Sequence, residues 1–171
     1  LSLFGQLLVD LRKFLLKHVD IDGFLEKLKL PSSYKANGLI PKGMLGYKDS
    51  NEYIKVKEDD EYLLNNAKCS VQSICKLEII FTYREAEEGL KILIKPLEKF
   101  GKKIKVTLKY FERAEWYNKL IKGNYQITYI ANNPSYYDTY MFLKYLLNKN
   151  YYPGLNCDKI KPLLKKAVSI N

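Results

Sequence analysis

Three short apolar runs set the limits on this chain: LEIIFTY at 77–83, IKVTLKY at 104–110 and YQITYIA at 125–131. Each is followed by a stretch whose apolar residues recur at helical spacing. Parallel strands need crossover connections of a dozen residues or more, and helices are what usually supply them. The expected fold class is therefore α/β, a mainly parallel sheet flanked by helices on both of its faces. IKVTLKY alternates strictly, as a strand with one wet face should. After the first run a helix is expected over Arg84–Phe100, with Leu90, Leu93, Ile94 and Leu97 on one side. Gly101 closes that helix and Pro96 kinks it. Trp116, Leu120 and Ile121 mark the next helix. The third run leads into a turn at Asn132–Ser135, then a helix from Tyr140 to Leu147, and Asp158–Val168 reads as a last helix.

Ahead of the sheet, Leu7, Leu8, Leu11, Phe14, Leu15 and Val19 form the apolar stripe of an amphipathic helix that ends near Asp20. A second, shorter helix is expected with Asp22 as its N-cap, running through Phe24, Leu25 and Leu28 until Pro31 stops it. Pro31–Tyr53 carries Pro31, Gly38, Pro41, Gly43 and Gly46 and reads as a long irregular connection. Glu58–Ala67 reads as a modest helix.

The 171 residues, 47% of them hydrophobic, suffice for one compact unit or one lobe of something larger, and residues 1–171 are expected to form a single one. No apolar run approaches the roughly 20 residues of a membrane-spanning helix. The opening LSLFGQLLVDLRK lacks a basic start and a small-residue cleavage site, so the chain reads as a mature or excised piece. The net charge of +10 raises the question of a polyanion partner. Its make-up answers in part: only Arg12, Arg84 and Arg113 are arginines, and lysine is a hydrated point charge poorly suited to bidentate recognition. A solvated lysine surface without nucleic acid is the favoured reading. The alternative is a free-standing basic α/β module for an acidic protein or nucleic acid, whose binding would fall steeply with salt.

The chemistry on offer is that of binding. No strand ends in a glycine-flanked serine, so a nucleophilic hydrolase is a poor fit. The glycines of GLIPKGMLGY follow no strand and build no phosphate loop. His18, the sole histidine, sits at a helix end where capping or packing accounts for it, and Glu85, Glu87 and Glu88 are explained by the dipole of the helix they open. No catalytic constellation, cofactor motif or metal-ligand spacing is present, and a non-enzyme is expected. Cys69 and Cys75 bracket the five-residue loop SVQSI, and Cys157 stands apart; a Cys69–Cys75 disulfide and buried free thiols are both open readings.

In open parallel sheets, ligands lie beyond the carboxyl ends of the strands. That rule selects Tyr83–Glu85, Tyr110–Arg113 and Asn132–Tyr136. Arg84 and Arg113 are suited to anions, Asn132 and Ser135 to neutral hydrogen bonds, and Tyr136 to flat contact.

The motifs, taken in order, resemble the C-terminal lobe of the peptide/nickel family (family 5) of bacterial extracellular solute-binding proteins, the receptors of ABC importers. Arg12, Leu15, Leu16, Val19 and Asp20 match the family's first helix, and Ala36, Ile40, Pro41, Gly43, Gly46 and Tyr47 match its Ala-x-x-x-Ile-Pro-x-Gly segment. Leu63, Leu64 and Ala67 match a short helix, and Leu97, Gly101, Ile104 and Val106 match the helix-to-strand phrase. Trp116 or Tyr117, Leu120, Gly123 and Ile127–Ile130 complete the series. The resemblance implies a periplasmic-binding-protein-like type II lobe whose N-terminal partner lobe is not in this chain. It also implies a small polar solute, metal chelate or oligopeptide held between the lobes, an ABC permease as partner, and a periplasmic or extracellular location with or without a membrane tether. Asn132 stands where peptide-binding members place a Trp, and Ser135 where they place the Asp that pairs with a peptide's α-amino group. A neutral hydroxyl cannot supply the charge-assisted bond an ammonium prefers, which argues against capture of a peptide by its amino terminus.

Overall fold

The sheet has three parallel strands in the order β2-β1-β3, where β1 is Cys75–Phe81, β2 is Ile104–Tyr110 and β3 is Ile127–Thr128. The structure is a computed structural model that describes residues 8–29, 40, 42, 44, 47, 55–130, 139–146 and 162. The helices are α1 (Val9–His18), α2 (Ile21–Leu28), α3 (Asp60–Asn66), α4 (Glu87–Ile94), α5 (Arg113–Lys122) and α6 (Thr139–Leu146).

β1 and β2 pair from Cys75 opposite Ile104 to Phe81 opposite Tyr110. This register puts Leu77, Ile79 and Phe81 on the same face as Ile104, Val106 and Leu108, and that face carries the main core. Against its amino half pack Leu11, Phe14 and Leu15 of α1, Leu63 and Leu64 of α3, and Leu97. Against its carboxyl half pack Phe24 of α2 and Leu90 and Leu93 of α4, with Tyr129 beside them. The other face is covered differently. Trp116 and Leu120 of α5 close over Ile80 and Phe111 near the strand ends, whereas Lys76, Lys105 and Thr107 further back are exposed.

α2 lies against α4 closely enough that glycine is needed on both. A Cβ on Gly23 would meet Asp20 and Ile92 at under 3 Å, and one on Gly89 would stand 3.0 Å from the Phe24 ring. Beyond β1 the pairing of β3 is short, and Gln126 extends it with a side chain. Its Oε1 accepts from the Glu78 N–H at 2.8 Å while its Nε2 donates to the Lys76 carbonyl at 3.4 Å.

The α/β class, parallel sheet and helices on both faces are as expected; the third strand, expected at 125–131, pairs only over Ile127–Thr128, and four other local details differ. The strand expected at 77–83 begins two residues earlier, because Cys75 and Lys76 find partners in Ile104 and Lys105. Arg84–Phe100 is not one helix. It runs as a 3₁₀ turn over Arg84–Ala86, α4, and a second 3₁₀ segment over Lys95–Phe100 that opens with Pro96, whose missing N–H suits the start of a new segment. Gly101 follows with φ −56°, so it is not a left-handed cap; Gly123, at φ 68°, ends α5 in that way. The N-cap of α2 is Asp20 rather than Asp22: its carboxylate accepts from the Gly23 N–H at 2.9 Å, and its own N–H donates to the Leu93 carbonyl.

Cys69 and Cys75 form a disulfide that ties the end of α3 to the start of β1. His18 is packed between the rings of Phe14 and Phe100, each at 4.7 Å, with Nε2 2.9 Å from Asp60 Oδ1. Of the connection at Pro31–Tyr53 only residues 40, 42, 44 and 47 are described, none of them in a helix or strand. The turn at Asn132–Ser135 and the helix expected at Asp158–Val168, apart from Pro162, lie outside the described residues.

Candidate functional site

The carboxyl ends of β1 and β2 lie side by side, so the two loops that leave them meet. Tyr110 closes β2 with its ring edge-on to Phe81, the last residue of β1. Arg84 comes from the 3₁₀ turn after β1 and lays its guanidinium over the Tyr110 ring, 3.9 Å from the centroid. Glu112, the backbone N-cap of α5, completes the group: its Oε1 accepts from the Tyr110 hydroxyl at 3.0 Å and stands 3.5 Å from Arg84 Nη2.

Tyr110, followed by Glu112, raises the guanidinium pKa above its ordinary value, so Arg84 keeps its charge at any working pH. The ion pair is wet, with side chains 70% and 76% exposed, and an exposed pair of this kind contributes little to stability. Its effect is orientation. One side of the guanidinium is stacked and one nitrogen lies near a carboxylate, while the side chain as a whole stays 70% exposed, and a guanidinium is a planar fork that fits a carboxylate or phosphate.

Tyr83 stands beside Arg84 and is 42% exposed. Its ring meets that of buried Tyr129 edge-on at 6.3 Å, and Tyr129 in turn meets Phe24 at 5.7 Å. Burial, and after it the neighbouring Tyr83, raises the Tyr129 phenol pKa, so that hydroxyl stays protonated at neutral pH. Tyr83 is thus an exposed flat surface backed by a rigid aromatic column.

Of the residues singled out from the sequence, Arg84 is at this edge. Arg113 begins α5 close behind β2; it is exposed and, among the described residues, makes no ion pair. Asn132, Ser135 and Tyr136 lie outside the described residues. Glu112 was not singled out, although it falls in the loop chosen by the strand-end rule. Arg84 takes the carboxylate of Glu112, brought to it by the β1–β2 register. Among the described residues no three His, Cys, Asp or Glu side chains are grouped to hold a metal ion. No helix there is long and apolar enough to cross a membrane.

No family model and no curated protein sequence matches the chain. Solved structures do. The periplasmic murein tripeptide-binding protein MppA, in its unliganded open form, superposes with a TM-score of 0.74 at 18% identity, over 92% of this chain and 32% of its own. A periplasmic oligopeptide-binding protein of Borrelia burgdorferi, OppAIV, gives 0.72 at 20% identity, over 95% of this chain and 35% of its own. NikA of Brucella suis, solved with Fe(III)-EDTA, gives 0.68 at 17% identity, over 96% and 38%. The chain therefore spans about a third of the length of the proteins it matches, and its fold is that of the corresponding α/β segment of these three structures.

Proposed function

We propose that residues 1–171 are the C-terminal lobe of a family 5 solute-binding protein of an ABC importer, non-catalytic, closing on its ligand together with an N-terminal lobe that this chain does not contain. The observation that carries the reading is the fold shared with peptide- and chelate-binding proteins over more than nine-tenths of the chain. It is joined to an exposed, oriented Arg84 at the sheet edge where α/β folds take ligands.

The working mechanism is closure. In this lobe Arg84 and Tyr83 are exposed to water. When the lobes close on a solute, water leaves, and each remaining hydrogen bond strengthens in the drier surroundings. Arg84 supplies a fixed cation for an anionic group of the solute, such as a carboxylate, and Tyr83 supplies flat contact area. Asn132, Ser135 and Tyr136, together with Arg113, are the further residues assigned to ligand contact. The solute is a small polar compound, metal chelate or peptide-like molecule. The partner is a membrane permease, and the location is periplasmic or extracellular, with a membrane tether in the full-length protein as one form.

The first test is the coding sequence upstream of Leu1. A preceding lobe that begins with a signal peptide supports the proposal; an initiator codon directly before Leu1 overturns it. The second test is thermal unfolding of the two-lobed protein against panels of oligopeptides, small carboxylates and metal chelates. One panel is expected to raise Tm, and Arg84→Ala to reduce that rise.

A further inference from the structure

The opposite end of the sheet carries a surface that the ligand edge does not explain. Between Cys69 and Cys75 the chain makes a tight loop, closed covalently by the disulfide. Ser70 and Ser73 stiffen it by exchanging backbone hydrogen bonds, and Ser70 Oγ accepts a further one from the Ser73 N–H. On this stiff loop sit two aliphatic side chains with little cover: Val71 is 56% exposed and Ile74 44%. A loop under no demand would place polar residues there, as it does at Gln72 and Ser73.

The loop is surrounded by lysine. Lys68 and Lys76 flank it, and both are exposed. Lys76 pairs across the sheet with Lys105, while the Cys75 N–H donates to the Lys103 carbonyl, which brings the turn containing Lys102 and Lys103 beside the loop. Val71 also borders a cleft of about 560 Å³ whose far wall holds Lys99, Lys102 and Lys103. The acids nearby offset this charge only in part: Glu61 and Glu98 line the same cleft as its three lysines, and Lys68, Lys76 and Lys105 carry the excess. Asp60 is already engaged by Lys17 and His18, at 2.8 and 2.9 Å, leaving Glu61 and Glu98.

We propose that this end of the sheet is a peripheral contact for an anionic lipid bilayer, with Val71 and Ile74 entering the headgroup region and the lysines lying over the lipid charges. The two halves of the patch select that partner together. Lysines without arginine suit a diffuse field of negative charge better than bidentate readout of nucleic acid. Exposed aliphatics within a cationic collar are both satisfied where an apolar phase meets a charged boundary, as at an amphipathic membrane surface. The loop needs no refolding to insert, because the disulfide already holds it. The strands run from this end to the ligand edge, about 20 Å for seven residues, so the bound chain would present Arg84 away from the bilayer.

The test is sedimentation of the full chain with vesicles of phosphatidylglycerol and phosphatidylcholine against vesicles of phosphatidylcholine alone. Binding only to the anionic vesicles, weakened by salt, is expected. Val71→Ser with Ile74→Ser should reduce partitioning by about tenfold through lost apolar burial, and Lys102→Glu with Lys103→Glu by at least about tenfold through reversed charge. Val71, Ile74 and Lys102 are exposed and Lys103 is half-buried, and unchanged circular dichroism establishes that the variants fold. Failure to bind anionic vesicles overturns the proposal. So does full binding by the Val71→Ser, Ile74→Ser variant, since charge alone would then account for it. Equal binding to soluble polyglutamate would assign the surface to an acidic polypeptide, and competition by inorganic phosphate at millimolar level would assign it to a free anion; either also overturns the bilayer reading.

Discussion

The two faces of the sheet are built from the same strands and carry different loads. One face is apolar from end to end, with α1, α3, α2 and α4 laid along it and Phe14, Phe24, Ile104 and Leu90 almost wholly buried. The other is apolar only near the strand ends, where α5 covers Ile80; behind that the exposed residues are lysine and threonine. The difference teaches where stability and function divide. The continuous face fixes the fold. On the half-covered face a side-chain junction ties α5 to the strand ends, Trp116 Nε1 donating to the Thr128 hydroxyl at 3.0 Å, which in turn donates to the Ile80 carbonyl. Both faces converge on the edge that carries Arg84.

The strongest challenge to this contrast is a large-to-small change on the continuous face. Phe14→Ala removes a ring packed against His18 and Phe100, and a loss of about 3–5 kcal/mol is expected in urea unfolding; a loss under about 1 kcal/mol would mean that α1 is not part of the folding unit. Trp116→Phe keeps most of the apolar volume but leaves the buried Thr128 hydroxyl without its donor, at an expected cost of about 1–3 kcal/mol. Here the double variant Trp116→Phe, Thr128→Val should recover part of that loss. Asp20→Ala removes the α2 cap and should cost about 1 kcal/mol in the same measurement. At the small end, Lys105→Ala on the open face should change stability by no more than about 0.5 kcal/mol; a clear gain from Lys105→Val would show that the face is covered after all.

Acid sharpens the contrast further, because the continuous face is pinned at its rim by ion pairs. Burial pushes the Asp60 pKa up, but the bonds from Lys17 and His18 outweigh it and hold the carboxyl below its ordinary value. Glu58 is lowered by its hydrogen bond from Lys13. A depressed carboxylate adds stability above its unfolded pKa and loses it as pH falls through the folded one. Stability should therefore hold from neutrality down to about pH 4 and drop below that. In urea titrations across this range, Asp60→Asn should flatten the acid-side drop.

Much of the fold is readable in the residues because period and burial agree. β2 has the bounds that strict alternation marks out, since every second residue from Ile104 faces the core and the intervening lysines face water. The misreadings occur where distant parts of the chain decide. Apolar density places the start of β1 at Leu77, but a strand starts where a partner begins, and Ile104 makes that Cys75. Two aspartates compete to cap α2; Asp20 wins because its N–H also reaches Leu93 on another helix. The spacing of Cys69 and Cys75 is compatible with a bond and with free thiols, and only the meeting of α3 with β1 brings the sulfurs together. At the site, Arg84 was accessible through the strand-end rule. Its hold by Tyr110 and Glu112 was not, because that contact depends on the parallel register and not on anything local.

The carboxamide of Gln126 has a consequence for solubility. Along its edge, a β-strand offers free N–H and C=O groups to any extended segment that drifts past, the first step of strand addition and aggregation. Beyond the two residues of β3, the outer edge of β1 would be such a template. Gln126 occupies it with one acceptor and one donor, a peptide unit borrowed from a side chain, so the amide of Glu78 is already engaged. Slow hydrogen exchange at that amide, lost in Gln126→Ala, would report the guard directly, and faster aggregation of the variant on warming would be its physiological counterpart.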